Sequence, residues 1–424
     1  MTPVRYVLGV ALCVVATMPT AAAAREPTVA DLAAIVLPKS ELGAALPSLD
    51  FDNDSGPTLA AKVADVTYSR DDTAEQVRAR GWIASYDLTY EVSGDLIGRT
   101  KKGLLTGIGS SVTLFADAAQ ASAFLDSELA ALASAVGTVR DGARFESWEP
   151  FPVIAGDRAA AFAGRSSYRG IVFAGTAAYL QRGRLLLEVH VNGDEPAVAQ
   201  GRVAELAARI DARVLGLLDG TGSPTPIKLP WERPARAPHL ERFTVGPRGF
   251  GQAAYLSAER WSRADGEIAT IKREVEGPRS ARILGLKGGA FYAETTLYRK
   301  RSVPAQIIRG IAGRRASDIA VQTADILQSV LGGSVRATSA RRLPVKISGV
   351  LATGYVVAAS SDLGPVTYET ILVSSGGLLG QISLVAGSTT SGRIDNKRFV
   401  ALARAQAALL RRANKAGIGA PSRG

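Results

Sequence analysis

The sequence predicts an α+β protein built as two tandem copies of an antiparallel sheet flanked by helices. The first observation is an internal repeat, because a degraded copy of residues 151–191 returns at residues 343–385. The second is that strand-like segments arrive in neighbouring pairs with hairpin-like gaps, which favours antiparallel pairing. The third is the lack of strict strand–helix alternation, which disfavours a doubly wound nucleotide-binding fold. We expect the helices on one face of each sheet.

The repeat extends well beyond its strongest segment. The tripeptide at residues 151–153 corresponds to the one at 343–345, and glycines mark a turn between two apolar runs in both copies. The strand-like run at residues 82–90 has its counterpart at 267–275, and both copies finish on a helical pattern. Matched positions are about 185 residues apart early in the repeat and about 195 late. Five aligned elements in the same order indicate duplication.

Domain limits follow from the repeat and from composition. The chain has 424 residues, which suits two domains of somewhat under 200 residues each. Residues between the two copies are rich in Pro and Gly, which is typical of a semi-rigid spacer. The predicted segments are a signal peptide (1–24), a first α+β repeat (28–218), a linker (219–240), a second α+β repeat (241–413) and a basic flexible tail (414–424).

The first 24 residues have the features of an export signal. Arg5 supplies the positive charge, an apolar run follows, and small residues precede a cleavage site near Ala24. Cys13 is the single cysteine, and Leu12 before it argues against a lipid-anchor site. We predict a secreted, periplasmic or cell-envelope location, with no transmembrane segment in the mature chain.

The chain is basic, with 50 Lys and Arg against 39 Asp and Glu and a net charge of +11. For an exported protein this favours an anionic neighbour over nucleic acid, since no basic run is interleaved with aromatic residues. The predicted partners are therefore an envelope lipid, a wall polymer or a protein, and no nucleic acid. Ordinary solubility is the simpler interpretation of the charge.

One strand carries an aromatic stripe. Alternation along residues 82–90 places Trp82, Tyr86 and Tyr90 on one face and Ile83 and Asp87 on the other. Such a stripe could line an apolar ligand groove between sheet and helix. It is equally what an ordinary sheet core requires, and large aromatic residues usually lie inside. We favour the core interpretation and keep the three residues as candidate ligand contacts.

Glu188 and His190 are the second candidate pair. They fall on the same face of one predicted strand, where a carboxylate could orient an imidazole that acts as a base. No nucleophile accompanies them, so a solvent-facing or helix-covered strand face is the simpler interpretation. The matching position in the second copy is Gln381 or a nearby polar residue. The catalytic set is therefore predicted to be empty.

No metal or cofactor site is predicted. Asp50, Asp52 and Asp54 have the spacing of a calcium loop, but Ser55 replaces the turn glycine and Ala61 the final glutamate. The glycine-rich segments lack the Lys-Ser or Lys-Thr of a phosphate loop.

In layout the chain resembles secreted bacterial PsbP/Mog1-like modules and the extracellular parts of mycobacterial sensor kinases. The resemblance is in the export signal, the size and the helix-flanked antiparallel sheet. The disulfides of those kinase domains cannot form here, because the mature chain has no cysteine. The predicted function is an exported non-catalytic binding module for a small molecule, a lipid or a protein. The alternatives are a hydrolase-type enzyme that uses Glu188 and His190, and a structural protein associated with the envelope.

Overall fold

The structure is a computed structural model. The predicted signal peptide, Cys13 and the central part of the Asp-rich loop lie outside the residues that it describes. These residues are 25–42, 49–51, 55–60, 62–63, 73–92, 105–140, 143–168, 171–193, 196–222, 224–277, 282–287, 290–331, 334–361, 364–387 and 392–418.

The first half of the chain forms one antiparallel sheet of nine strands. The strands are β1 (Leu49–Phe51), β2 (Gly56–Thr58), β3 (Trp82–Val92), β4 (Leu105–Phe115), β5 (Val139–Arg140), β6 (Ala143–Phe151), β7 (Arg158–Tyr168), β8 (Ile171–Arg182) and β9 (Leu185–Gly193). Their spatial order is β1-β3-β4-β9-β8-β7-β6-β5, and β2 also pairs with β3.

The second half forms an antiparallel sheet of seven strands and a separate small hairpin. The sheet strands are β10 (Tyr255–Ser262), β11 (Glu267–Glu276), β14 (Ala290–Tyr298), β15 (Val335–Leu343), β16 (Leu351–Ser361), β17 (Gly364–Ser375) and β18 (Leu378–Ala386), and the hairpin is β12 (Arg282–Ile283) with β13 (Leu286–Lys287). The spatial order of the sheet is β10-β11-β14-β18-β17-β16-β15.

Helices precede, interrupt and close these sheets. The described α-helices are α1 (Leu32–Ile35), α2 (Ala74–Ala79), α3 (Ala118–Ala135), α4 (Pro196–Leu218), α5 (Val303–Gly313), α6 (Ala316–Leu331) and α7 (Asn396–Lys415). Helices α4 and α7 each end a copy, and we call the sheet face against them the last-helix face. The first copy has α3 between its fourth and fifth strands, where the second copy has both α5 and α6.

The two sheets share one topology. The path β3-β4-β9-β8-β7-β6 in the first sheet corresponds strand for strand to β11-β14-β18-β17-β16-β15 in the second. This confirms the predicted fold class of two tandem antiparallel sheets with flanking helices. The register is also preserved, since Ser111 pairs with Glu188 as Glu294 pairs with Gln381. The predicted equivalence of Glu188 and Gln381 is therefore confirmed, while the domain limits stay a prediction.

Helices cover both faces of each sheet, so the expectation of helices on one face is wrong. On β9, Leu187 packs in the core that contains Ile210 of α4, whereas its neighbour Leu186 packs with Phe124 of α3. Successive strand residues point to opposite sides, and the apolar run at residues 185–187 therefore serves two cores. Each copy has three layers.

A β-bulge corrects the predicted aromatic stripe. The pairing of β3 with β4 shifts between Trp82 and Ala84, so Ile83 is the extra residue and its side chain is 43% exposed. Trp82 therefore joins the core beside α3, while Tyr86 lies in the core on the last-helix face. The second copy has the same shift between Glu267 and Ala269.

The linker packs against both copies. Leu229 belongs to the last-helix core of the first copy, and Ala237 to that of the second. The Trp231 ring lies 5.7 Å from the Phe51 ring, and the Trp231 carbonyl accepts a hydrogen bond from Trp261 N at 2.8 Å. The segment is thus held at several points, as expected for a Pro-rich spacer.

Candidate functional site

Glu188 and His190 lie on the face of the first sheet opposite α4. Their Oε1 and Nδ1 atoms are 3.6 Å apart, and the side chains are 33% and 25% exposed. The register places Asp87, Ser111 and Glu188 side by side on three adjacent strands. The predicted proximity of Glu188 and His190 is confirmed, and the sheet adds Asp87, which sequence analysis placed on a different strand without connecting it to the pair.

The carboxylates determine the charge state of His190. Burial lowers the pKa of His190, but the hydrogen-bonding influence of Glu188 and the charges of Glu188, Asp87 and Glu91 outweigh it, so the pKa is raised above 6.5. Burial raises the pKa of Asp87, although its carboxylate accepts a hydrogen bond from Thr58 Oγ1. The site therefore favours a protonated imidazole at His190.

Glycine is required beneath the imidazole. A Cβ atom at Gly109 would lie 2.6 Å from His190 Cε1 and 2.7 Å from Thr89 Oγ1. Gly109 pairs directly with His190 across β4 and β9, so the absence of a side chain lets the ring lie on the neighbouring strand.

A row of residues that contains three glycines crosses the sheet next to this pair. Cross-strand pairing connects six residues on the same face, and their strands are about 4.8 Å apart, which gives a span of about 24 Å. We call this set the glycine row: Trp148, Gly164, Gly175, Asn192, Gly107 and Glu91.

The second copy has side chains at the corresponding positions. Pairing there connects Ala340, Val357, Tyr368, Val385 and Ala290, so Gly164 and Gly175 correspond to Val357 and Tyr368. Tyr368 and Val385 pack in a cluster with Leu327 of α6. The first copy has no helix that corresponds to α6, since the described chain passes from α3 through residues 136–140 into the sheet.

We call the surface of the first sheet formed by the glycine row, the Glu188–His190 pair, Phe162 and Asp87 the trough, because glycines replace side chains along it. Trp148 and Phe162 are half-buried and belong to none of the described apolar clusters. The Trp148 ring lies over Gly164, where a Cβ atom would approach its Cε3 to 2.7 Å. Its indole Nε1 is buried and has no hydrogen-bond partner among the described residues.

The trough offers hydrogen-bond acceptors beside aromatic surface. The carboxyl groups of Asp87 and Glu91 are on β3, and that of Glu188 and the amide of Asn192 are on β9, with β4 between the two strands. Within the described ranges, no hydroxyl or thiol is hydrogen-bonded to His190, and no cluster of metal-ligating residues is present. The arrangement suits ligand binding, and the hydrolase alternative stays a prediction.

The three aromatic candidates lie elsewhere. Trp82, Tyr86 and Tyr90 are 8%, 7% and 1% exposed, and each is packed in a core. Trp82 Nε1 donates to Ser85 Oγ at 2.7 Å, and the Tyr90 ring lies 4.8 Å from that of Phe51. The structure does not bring them to the trough, and their assignment as ligand contacts stays a prediction.

The sequence pattern does not single out Asn192 or the glycines of the row as site residues. The alternating glycines at 107 and 109 were a local signal, since glycine inside a strand often marks a close approach. Gly164 and Gly175 come from other strands and join the row only through cross-strand register.

No protein-family model and no curated protein matches the chain. Among solved structures, the extracellular domain of PknH from Mycobacterium tuberculosis is similar, with 14% identity, a TM-score of 0.31 and coverage of 45% of this chain and 98% of that one. The apo structure of the immunity protein TplEi from Pseudomonas aeruginosa matches with 10% identity, a TM-score of 0.18 and coverage of 76% and 94%. Both similarities are weak, so the geometry of this chain alone carries the proposed function.

Proposed function

We propose that the chain is an exported binding module whose first copy holds a polar ligand in the trough. The observation that carries this proposal is the contrast between the copies. Where the second copy has the buried side chains of Val357 and Tyr368, the first has Gly164, which lies beneath the Trp148 ring, and the half-buried Gly175. Glycine inside a strand reduces side-chain packing, so its presence here needs a compensating role. Space for a ligand above the glycines would supply that role.

The groups in the trough select the ligand class. Acidic and amide oxygens accept hydrogen bonds, and two of the acidic residues, Glu188 and Glu91, adjoin His190 and Asn192. Trp148 and Phe162 add aromatic faces on β6 and β7, toward the opposite edge of the sheet from Glu91. A hydroxyl- or amine-bearing ring matches this combination, so wall glycan is the preferred ligand class among the predicted partners.

Export is part of the proposal. It is supported by the charge, apolar core and small-residue site of residues 1–24. None of the helices in the described part of the chain is long and apolar enough to cross a membrane.

The test of this proposal introduces a large side chain into the trough. Gly175→Tyr places the residue of the second copy into the first, and the nearest atom to its Cβ would be Asn192 Oδ1 at 3.0 Å, the end of a side chain that can move aside. We expect the mature protein to bind soluble peptidoglycan fragments or N-acetylglucosamine oligomers in calorimetry. The variant should lose at least about tenfold in affinity, which corresponds to about 1.4 kcal/mol.

Gly201→Ala is the matched control, since a methyl group added to this helical glycine would have no atom within 4 Å. It should bind as the wild type does. Failure of every probe to bind the wild type, or unchanged binding by the Gly175→Tyr variant, would contradict the proposal.

A further inference from the structure

Charge is divided unequally between the two copies. Residues 28–218 carry 18 Lys and Arg against 24 Asp and Glu, whereas residues 241–413 carry 25 against 12. The net charge of +11 thus combines an acidic first copy with a strongly basic second copy. The shared fold does not require this difference in net charge between the copies. The difference therefore concerns what the surface of each copy interacts with.

Several segments of the second copy meet at one end of its sheet. Arg299 N donates to Gly266 O, and Tyr298 N donates to Gly377 O. Arg301 Nη2 contacts Asn414 Oδ1 at 3.5 Å near the end of α7. Three turns and the last turn of a helix therefore form this end.

This end carries a cluster of exposed cations from four separate segments. We call it the basic end, and its residues are Arg263, Lys300, Arg301, Lys346, Arg411 and Arg412. Arg411 Nη1 donates to Ser348 O at 3.0 Å, which brings the Lys346 turn next to α7. Throughout the described chain, no carboxylate forms an ion pair with any of the six.

Acidic residues do not neutralise the basic end. Asp265 and Glu267 are the acids on its turns, and Glu267 Oε2 already accepts from Ala264 N and Thr270 Oγ1. Cations at a helix C-terminus are favourable on their own, which explains Arg411 and Arg412. It does not explain Arg263, Lys300 and Lys346, which belong to turns.

We propose that the basic end docks the protein on an anionic phospholipid surface. Its exposed cations belong to turns and to a helix end at one end of the sheet, so several of them can contact a planar array of headgroups together. A polymer chain would instead be bound along a groove between elements. Each cation near such a surface strengthens binding roughly fivefold at moderate ionic strength.

The experiment measures sedimentation of the mature protein with vesicles. We expect binding to phosphatidylglycerol vesicles, little binding to phosphatidylcholine vesicles, and loss of binding as salt is raised. The variant Arg263→Gln, Lys300→Gln, Lys346→Gln, Arg412→Gln alters four side chains for which the described structure gives no hydrogen bond. It should bind at least about tenfold more weakly.

A second quadruple variant separates position from net charge. Arg282, Arg393, Lys397 and Arg398 are exposed around the start of α7, and the 20 residues of this helix separate the two ends by about 30 Å. Their replacement by Gln removes the same charge and should leave vesicle binding within about twofold of the wild type.

Three results would overturn the proposal: equal weakening by both variants, no binding of the wild type to anionic vesicles, or tighter binding to soluble polyphosphate than to vesicles. The last would identify an anionic polymer as the partner. The Gly175→Tyr variant should bind vesicles as the wild type does, so failure here and failure of the trough are distinguishable.

Discussion

Glu369 is a buried carboxyl group on the last-helix side of the second sheet. It is 1% exposed, and its Oε1 has no hydrogen-bond partner among the described residues. Burial raises its pKa to about 7, against a smaller opposing influence of Arg341. The corresponding residue of the first copy is Thr176, also buried with an unpartnered oxygen. This sheet position is polar in both copies without a described partner.

Stability of the second copy should therefore depend on pH. Because the folded-state pKa of Glu369 is raised above its ordinary 4.5, the folded state binds more protons between about pH 4.5 and 7, and the free energy of unfolding falls as pH rises through that window. Glu369→Gln should stabilise the protein by about 2–3 kcal/mol at pH 8 and by little at pH 4. Urea unfolding at the two pH values measures this difference.

Glu149→Gln, at an exposed position, is the control and should show no such change. A Glu369→Gln variant that is less stable than the wild type at both pH values would contradict the assignment of a buried charge.

At the scale of elements, the bulge decides which side chains enter which core. Ile83 and Ile268 are 43% and 40% exposed although both are large apolar residues inside strands. Both copies keep the bulge at the aligned position, directly after a turn with a glycine at positive φ, Gly81 or Gly266. The extra residue turns Trp82 to the α3 side.

The bulge predicts that substitutions of the neighbouring residues Trp82 and Ile83 have very different effects on stability. Ile83→Ser and Ile268→Ser should change the free energy of unfolding by no more than about 0.5 kcal/mol, since both side chains are exposed and belong to no core. Trp82→Ala should lower it by about 3–5 kcal/mol, because it empties a buried position. Chemical denaturation of the three variants measures this, and a loss above about 2 kcal/mol for Ile83→Ser would show that the residue is packed.

Sequence periodicity identifies the elements but not these exceptions. Alternation and helical stripes predict the strands, the last helices and the equivalence of Glu188 with Gln381. A bulge leaves no trace in an alternating pattern, so alternation alone assigns Trp82 to the wrong face. Gln406 weakens the helical stripe of α7, yet it is fully buried and hydrogen-bonded to Val245 N and Thr295 Oγ1. Partners so distant in sequence cannot be inferred from one segment.

For the whole molecule, the important feature is that each copy has its own core. The last-helix cores of the two copies share no residue, and the linker divides between them. The Arg233 guanidinium lies 5.8 Å from the Trp261 ring centroid, and Ala237 is buried in the second core. The end of the linker thus packs as part of the second copy.

Separate expression tests this division. We expect residues 232–418 to fold alone and to unfold cooperatively, because they contain a complete core. A fragment of residues 241–418 should be less stable by about 2–5 kcal/mol, since it lacks the buried Leu240 and Ala237 and the cation–π contact of Arg233. Denaturation monitored by circular dichroism compares the two. Equal stability would place the boundary at residue 241, as the sequence predicts.

Because the two sheets share one strand register, each position in one copy can be compared with its counterpart in the other. Each trough residue on β8 and β9 corresponds to the residue 193 positions later in β17 and β18. Gly175 corresponds to Tyr368, and Glu188 corresponds to Gln381. Exchange of the residues at such corresponding positions transfers the side chains of one copy to the other within a single polypeptide. The variants Tyr368→Gly, beneath α6, and Gly175→Tyr would therefore show, within one protein, the effect of side-chain changes that arose as the two copies diverged.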